Sequence, residues 1–185
     1  RKNLGIKDII INKTSSYKFN EKYSCWIDWE QFNIIYKNFD KELTKDKLKT
    51  ALKLYQGDLM PGLRYESWIE NYRTNLKEKY LDIIYKLSQK LYEEENYIEA
   101  LIYLKKGMNK ELYREEYYDL AMKILAETGR AYEALSVFEK YKNLLKNDLD
   151  IEPGLDIFNT YEKIKNCELI KKQNIKRDTE KGALR

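Results

Sequence analysis

From Trp26 onward, apolar side chains recur at intervals of three and four residues. Trp26, Ile27, Trp29, Phe32, Ile35, Tyr36 and Phe39 form the first such series, the spacing that lines one face of a helix. Asp28 stands where a helix cap is expected. A second helix is predicted over 44–55, opened by Thr44 and carrying Leu48, Ala51, Leu52 and Tyr55; Gln56-Gly57-Asp58 ends it and Met60-Pro61-Gly62 continues as a loop. A long third helix is predicted over about 65–95, with Trp68, Ile69, Tyr72, Leu76, Tyr80, Ile83, Ile84, Leu87 and Leu91 and no Gly or Pro inside it. Shorter helices follow at about 98–106, 114–128 and 131–146. Glu152-Pro153 opens a last one, with Leu155, Ile157, Phe158, Tyr161 and Ile164 on one face. The first 24 residues differ. Ile9-Ile10-Ile11 is β-branched, Asn12 to Ser16 is turn-forming, and Tyr17-Lys18-Phe19 alternates, which predicts a hairpin. A lone hairpin is marginal in water, so it is expected to pack on something.

One periodicity is longer. Glu99-Ala100-Leu101 returns as Glu133-Ala134-Leu135, 34 residues on. With the same offset Leu87 pairs with Ala121, Leu91 with Leu125, Leu104 with Phe138 and Lys106 with Lys140. Thirty-four residues is the tetratricopeptide period, a helix-turn-helix unit. Ala100 and Ala134 are small enough for a neighbouring helix to approach closely, and Leu104 and Phe138 are large enough to fill the space beside them. Gly129 falls where the chain must reverse and tolerates positive φ. Its counterpart in the preceding unit is Glu95, so the match is partial. The alternative is two ordinary helical hairpins that share three residues by chance. The expected fold is therefore mainly α, a tetratricopeptide-like array of helical hairpins, about seven helices in all, behind a short N-terminal β-hairpin. Such arrays present a curved surface that holds peptides or proteins.

Composition narrows the chemistry. There is no His, which removes the commonest general base and every Ser-His-Asp, Cys-His and His-containing zinc arrangement. Glu93-Glu94-Glu95 and Glu115-Glu116 are the only dense carboxylate runs, and neighbours on a helix point about 100° apart, which makes them poor acid/base pairs. No Gly-rich phosphate loop or metal-ligand spacing is present. The expectation is a non-enzyme with no cofactor and no metal. Cys25 and Cys167 are far apart and are expected as free, buried thiols. No apolar run approaches the roughly 20 residues a bilayer span needs, and nothing resembles a signal peptide, so the expected location is the cytoplasm. Asn12-Lys13-Thr14 matches a glycosylation sequon, a short motif common by chance. The 17 Tyr against 5 Phe fit either a genome biased towards Lys, Ile, Asn and Tyr or rings lining helix faces with the hydroxyl wet.

Charge is uneven. Residues 1–25 carry six basic and two acidic side chains, residues 163–185 eight basic and three acidic. The net charge is +4, so the middle is −5. A basic head and tail on an acidic body fit either proximity to phosphates or solvated ends. The tail lacks apolar periodicity and reads as disordered. Because the chain opens on Arg1, it is expected to be part of a longer protein.

The order of motifs resembles a known family. Ala51-Leu52-x-x-Tyr55-x-Gly57-Asp58-Leu59, then Trp68, Arg73 and Leu76, Glu115-Glu116-x-x-x-Leu120-x-Met122, Gly129-Arg130-x-x-Glu133-Ala134-Leu135, Tyr141, Leu145, Leu149 and Ile151-Glu152-Pro153 are similar, in order and spacing, to the bacterial transcriptional activator domain of SARP-type antibiotic-regulatory activators and related response regulators. In that family an OmpR-type winged helix precedes the module and ends in a β-hairpin wing; Thr14, Tyr17, Asp28 and Phe32 match its pattern in order. Two positions depart: Asp150 stands where Gly is usual, and Ser15-Ser16 where the wing turn has Gly. The resemblance implies residues 1–24 as the end of a DNA-binding domain, 25–165 as the activator domain and 166–185 as a basic tail. It implies a regulatory module that binds a protein partner or a second copy, in a protein that binds DNA through parts upstream, with no membrane role. Forms with and without a receiver domain both remain open. In an intact wing Lys13, Thr14 and Lys18 would face phosphate, adding affinity but no base reading; the alternative is a solvated hairpin. Arg130 is expected to pair within the chain, with the following helix or with Glu152. The competing function is a stand-alone tetratricopeptide adaptor or scaffold with no DNA role.

Overall fold

The structure, a computed structural model, describes residues 8–13, 16–38, 44–63 and 66–166. Strands β1 (Ile10–Lys13) and β2 (Ser16–Phe19) pair antiparallel, Ile10 opposite Phe19 and Lys13 opposite Ser16. Asn20 ties the hairpin's base, its backbone N–H donating to Ile9 O at 2.8 Å and its Nδ2 to Asp8 O at 2.9 Å. The residues of β2 are exposed, Tyr17 to 78%.

Seven helices follow: α1 (Asp28–Tyr36), α2 (Lys45–Leu54), α3 (Ser67–Glu93), α4 (Tyr97–Lys110), α5 (Glu115–Glu127), α6 (Ala131–Leu149) and α7 (Leu155–Lys165). Thr44 caps α2, its hydroxyl accepting the Lys47 N–H at 3.4 Å. The cap expected at Asp28 lies one residue earlier: Ile27 is extended, and Asp28 is already helical. Its carboxylate takes the Trp29 N–H at 2.7 Å and sits at the positive end of the helix dipole. With 27 residues, α3 is about 40 Å long.

The 34-residue period is visible in the backbone itself. At the end of α3 the N–H of Asn96 bonds Leu91 O at 2.8 Å and that of Glu95 bonds Tyr92 O at 2.9 Å; at the end of α5, Arg130 bonds Leu125 O at 2.8 Å and Gly129 bonds Ala126 O at 3.1 Å. Both turns are left-handed at the same place, Glu95 at φ +60° and Gly129 at φ +79°. The six-to-one bond marks each as a Schellman closure. Asp150 closes α6 in the same region, φ +55°, at the position where the sequence lacks Gly.

Helices α3 and α4, and α5 and α6, form antiparallel pairs, and these stack. Ala100, Leu104, Ala134 and Phe138 are all buried in the joints, as are Leu87, Leu91, Ala121 and Leu125. Gly107 has a steric purpose: a Cβ there would lie 2.8 Å from the Tyr117 ring. Tyr117 is fully buried and its hydroxyl donates to Leu81 O at 2.8 Å, joining the two pairs. Tyrosine repeats this use elsewhere, Tyr118 donating to Leu112 O at 2.9 Å and Tyr141 to Tyr113 O at 3.2 Å.

Three expectations fail in detail. Trp26 precedes α1 and is 67% exposed, because the extended segment before Asp28 carries it off the helical face. Leu155 opens α7 away from the core, 73% exposed, while Ile157 and Ile164 are buried. Cys25 is exposed, not buried. Cys167 and the tail lie outside the described residues. No helix among the described residues is long and apolar enough to cross a membrane.

Candidate partner-binding face

Helices α1, α3, α5 and α7 run in the same direction on one side of the stack. Their side-chain bonds show this. Asn33 and Tyr36 of α1 meet Lys79 and Asp82 of α3. Leu81 and Tyr92 of α3 meet Tyr117 and Glu127 of α5. Asp119 of α5 meets Thr160 of α7, and Glu115 accepts the N–H of Gly154 just before α7 at 2.7 Å. Asn33 and Tyr36, Lys79 and Asp82, and Glu115 and Asp119, three or four apart, therefore each turn to a neighbouring helix of this layer.

Two clefts lie between these helices. The first, about 440 Å³, is lined by Trp29, Glu30, Asn33 and Ile34 of α1, by Lys37 just after it, and by Tyr72, Asn75, Leu76 and Lys79 of α3. The second, about 580 Å³, is polar: Tyr92, Asp119, Lys123, Glu127, Asp156, Asn159, Thr160 and Lys163 line it. In it, the Thr160 hydroxyl donates to Asp119 at 2.5 Å, Lys123 pairs with Asp119 at 2.6 Å and the Tyr92 hydroxyl donates to Glu127 at 2.6 Å. Burial and the Glu127 carboxylate together push the Tyr92 pKa well up.

Between the clefts sits an ionic hub. Arg114, just before α5, donates to Asp82 at 2.9 Å and pairs with Glu78 of α3. Asp82 accepts the Tyr36 hydroxyl of α1 at 2.7 Å with its other oxygen. Burial works against the Arg114 charge, but the hydrogen bonds it donates to Asp82 and Glu78 outweigh that and raise its pKa. Three helices are thus held by one carboxylate and one guanidinium. The sequence gives a weak sign of this hub: Glu78 and Asp82 stand four apart on one helix face, and Arg114 is 36 and 32 residues further on.

The residues singled out from sequence separate into two groups. Ala100, Leu104, Ala134 and Phe138 are packing residues, and Gly129 is a turn residue. Arg130 opens α6 and pairs with Glu133 through Nε and a terminal nitrogen, at 2.7 and 2.6 Å, raising its own pKa and lowering that of Glu133 through the shared hydrogen bonds. Glu152 lies instead 3.7 Å from Lys142. On the hairpin, Lys18 pairs with Glu21 at 2.6 Å. Thr14 and the side chain of Lys13 fall outside the described residues. Among the described residues no cluster could hold a metal ion. What the face offers is shape, apolar area and hydrogen-bonding groups.

Comparison with known proteins agrees with this fold. No curated protein sequence matches the chain significantly. Among solved structures it resembles Mycobacterium tuberculosis EmbR, described in complex with a low-affinity phosphopeptide, at 18% identity and a TM-score of 0.66. The match covers 85% of this chain and 43% of that one, so the chain spans less than half of the EmbR chain. The family model of the bacterial transcriptional activator domain matches residues 37–165, from the end of α1 through α7. The chain belongs to the bacterial transcriptional activator domain family.

Proposed function

We propose that this chain is the regulatory, partner-binding part of a bacterial DNA-binding transcription regulator. The observation that carries the reading is the family match over an array of paired helices that leaves one face, with two clefts, open. In this reading residues 1–24 are the end of a winged-helix DNA-binding domain, 25–165 the partner-binding or dimerising domain, and 166–185 a basic tail, all acting in the cytoplasm. Lys13, Thr14 and Lys18 would add phosphate contacts, with Lys18 first releasing Glu21. EmbR, described in complex with a phosphopeptide, supports a protein ligand for this protein as well. The reading includes response regulators, in which a receiver domain supplies the input.

The test is to sequence the gene upstream of Arg1 and to assay DNA binding. A helix-turn-helix pattern upstream is expected. Residues 1–185 alone are expected to bind DNA weakly, without sequence preference, and to release it as salt rises. A sequence-specific, salt-resistant gel shift by this chain would place base reading inside it and overturn the division of labour. An initiator Met directly before Arg1 would favour the competing reading, a stand-alone adaptor.

A further inference from the structure

Helices α4 and α6 belong to the other layer of the stack, and the 34-residue period marks their surface as well. The second residue of α4, Ile98, is 79% exposed, and the second residue of α6, Tyr132, is 87% exposed, 34 positions on. Among the described residues no large apolar side chains are more exposed. Ile102, one turn after Ile98, is 52% exposed. A cleft of about 410 Å³ lies between the two helices. Its floor is apolar, built by Leu101, Leu104 and Met108 of α4, Val137 of α6, and Ala121 and Leu125 of α5 beneath. Tyr132 lines it directly. Ile98 and Ile102 stand three or four positions from Leu101 and Lys105 and so continue the same side of α4. Exposed apolar residues that adjoin a cleft in this way mark an interaction site.

The rim is basic. Lys105, Arg130 and Lys140 line the cleft against one carboxylate, Glu133, and Arg130 already engages that carboxylate at 2.6 Å. Lys105 and Lys140 are exposed, and among the described residues neither has a hydrogen-bond or ion-pair partner. They stand on an otherwise acidic body, net −5 over residues 26–162. An apolar floor with unpaired cations on both sides is complementary to a ligand that is apolar along its centre and anionic at its edges. We infer that the α4–α6 cleft holds an amphipathic helix of a partner protein, with a narrow apolar stripe flanked by Asp and Glu. From Ile98 to Met108 α4 runs about 15 Å, the length of roughly three helical turns. The stripe is therefore two or three large apolar residues at intervals of three and four, seated as a helix in a groove. A nucleic acid would satisfy the lysines through its phosphates, but it would leave Ile98, Ile102 and the apolar floor without a counterpart. This cleft lies outside the layer of α1, α3, α5 and α7, and the inference rests on the proposed function only in expecting a protein partner.

Fluorescence anisotropy of the full chain with a labelled probe tests it. The probe is a lactam-bridged helical peptide of roughly four turns, with Leu at every third and fourth position and Glu elsewhere. Saturable binding below about 200 µM is expected, weakening as salt rises. Ile102→Glu should weaken it at least tenfold. Lys105→Glu with Lys140→Glu in the same chain should lose the Glu peptide at least tenfold and gain the same peptide with Lys in place of Glu, an exchange that damage to the fold cannot produce. Tyr72→Glu, at the first cleft, should leave binding unchanged. Thermal unfolding of each variant within about 2 °C of the parent confirms an intact fold. No saturable binding, or binding insensitive to Ile102→Glu, overturns the inference. Weakening by Tyr72→Glu instead overturns it by moving the peptide to the α1–α3 cleft. Equal binding of a peptide with Ser in place of Leu, or displacement by duplex DNA, reduces the cleft to a general anion site and overturns it too. So does a dimer in sedimentation that Ile102→Glu dissolves, which gives the cleft to a second copy. None of these results bears on the upstream helix-turn-helix, so the regulatory reading stands or falls separately.

Discussion

The α3–α4 and α5–α6 pairs solve one geometric problem with different side chains. Both reverse through a left-handed residue and the same six-to-one hydrogen bond, but one uses Glu95 and the other Gly129. Both seat a small residue at the joint, Ala100 or Ala134, and both fill the space four residues later, with Leu104 or Phe138. They diverge at the next turn. Gly107 stands in α4 where Tyr141 stands in α6. Over Gly107 lies Tyr117, a ring from the following pair, whereas Tyr141 stacks on Tyr118 of its own pair, centroids 4.3 Å apart. The difference teaches that the backbone carries the repeat and that each joint chooses its own packing. A glycine joint admits a residue from the next unit; a tyrosine joint is filled from within.

The sharpest break in this comparison is at Tyr117. Tyr117→Ala removes the ring that spans both pairs and is expected to cost about 3–5 kcal/mol. Ile83→Ala, the same place one repeat earlier and equally buried, should cost less, about 2–4 kcal/mol. Urea unfolding gives both values, and a smaller loss at Tyr117 than at Ile83 would show that the joint is not shared.

A smaller effect separates the two turns. Gly129→Ala forces a side chain into the left-handed region and should cost about 1–2 kcal/mol, while Glu95→Gly relieves the same conformation and should be neutral or stabilising by up to about 1 kcal/mol. Opposite signs are the expected outcome in thermal unfolding. Equal destabilisation would mean that the Glu95 side chain contributes more than its backbone costs.

The smallest effect is on pH dependence. Burial raises the pKa of Tyr92, Tyr117 and Tyr141. Folding then favours the protonated phenols. Their contribution is complete below the unfolded tyrosine value near 10 and is lost as pH climbs through the raised folded values. Stability should therefore fall above about pH 10, and Tyr117→Phe should make that fall shallower. An unchanged alkaline slope in the variant would remove Tyr117 from the account.

These features were not equally legible in the chain. The helices followed from apolar spacing, and the repeat from Glu-Ala-Leu recurring with Leu91 and Leu125 aligned, because both depend on local periodicity. Gly129 declared its turn, since Gly is the residue that tolerates it without cost. Glu95 did not, because its left-handed backbone is imposed by the closure of α3 and not by its own preference. The Asp82, Arg114 and Tyr36 hub joins residues 32 and 46 positions apart, a separation that no period marks. Exposure was the hardest to read: Trp26, Leu155 and Cys25 are residues that usually lie inside, and only the path of the backbone puts them outside. The tyrosine excess is put to use in the structure, since phenols reach across helices to carbonyls and carboxylates that a phenylalanine could not engage.

The shared direction of α1, α3, α5 and α7 gives the array an electrical polarity. The C-terminal end of each helix carries the negative pole of its dipole, equivalent to about half a charge. The negative poles of α3, α5 and α7 lie along one edge, and Glu93, Glu94 and Glu127 add whole charges at the end of a helix where cations would be favoured. Part of this is met by Lys45 reaching Glu94 from α2. The opposite edge gathers the positive ends. Only that layer is aligned: α4 and α6 run antiparallel beside α3 and α5 and offset their dipoles, so the whole charges of the glutamates set the sign of the edge.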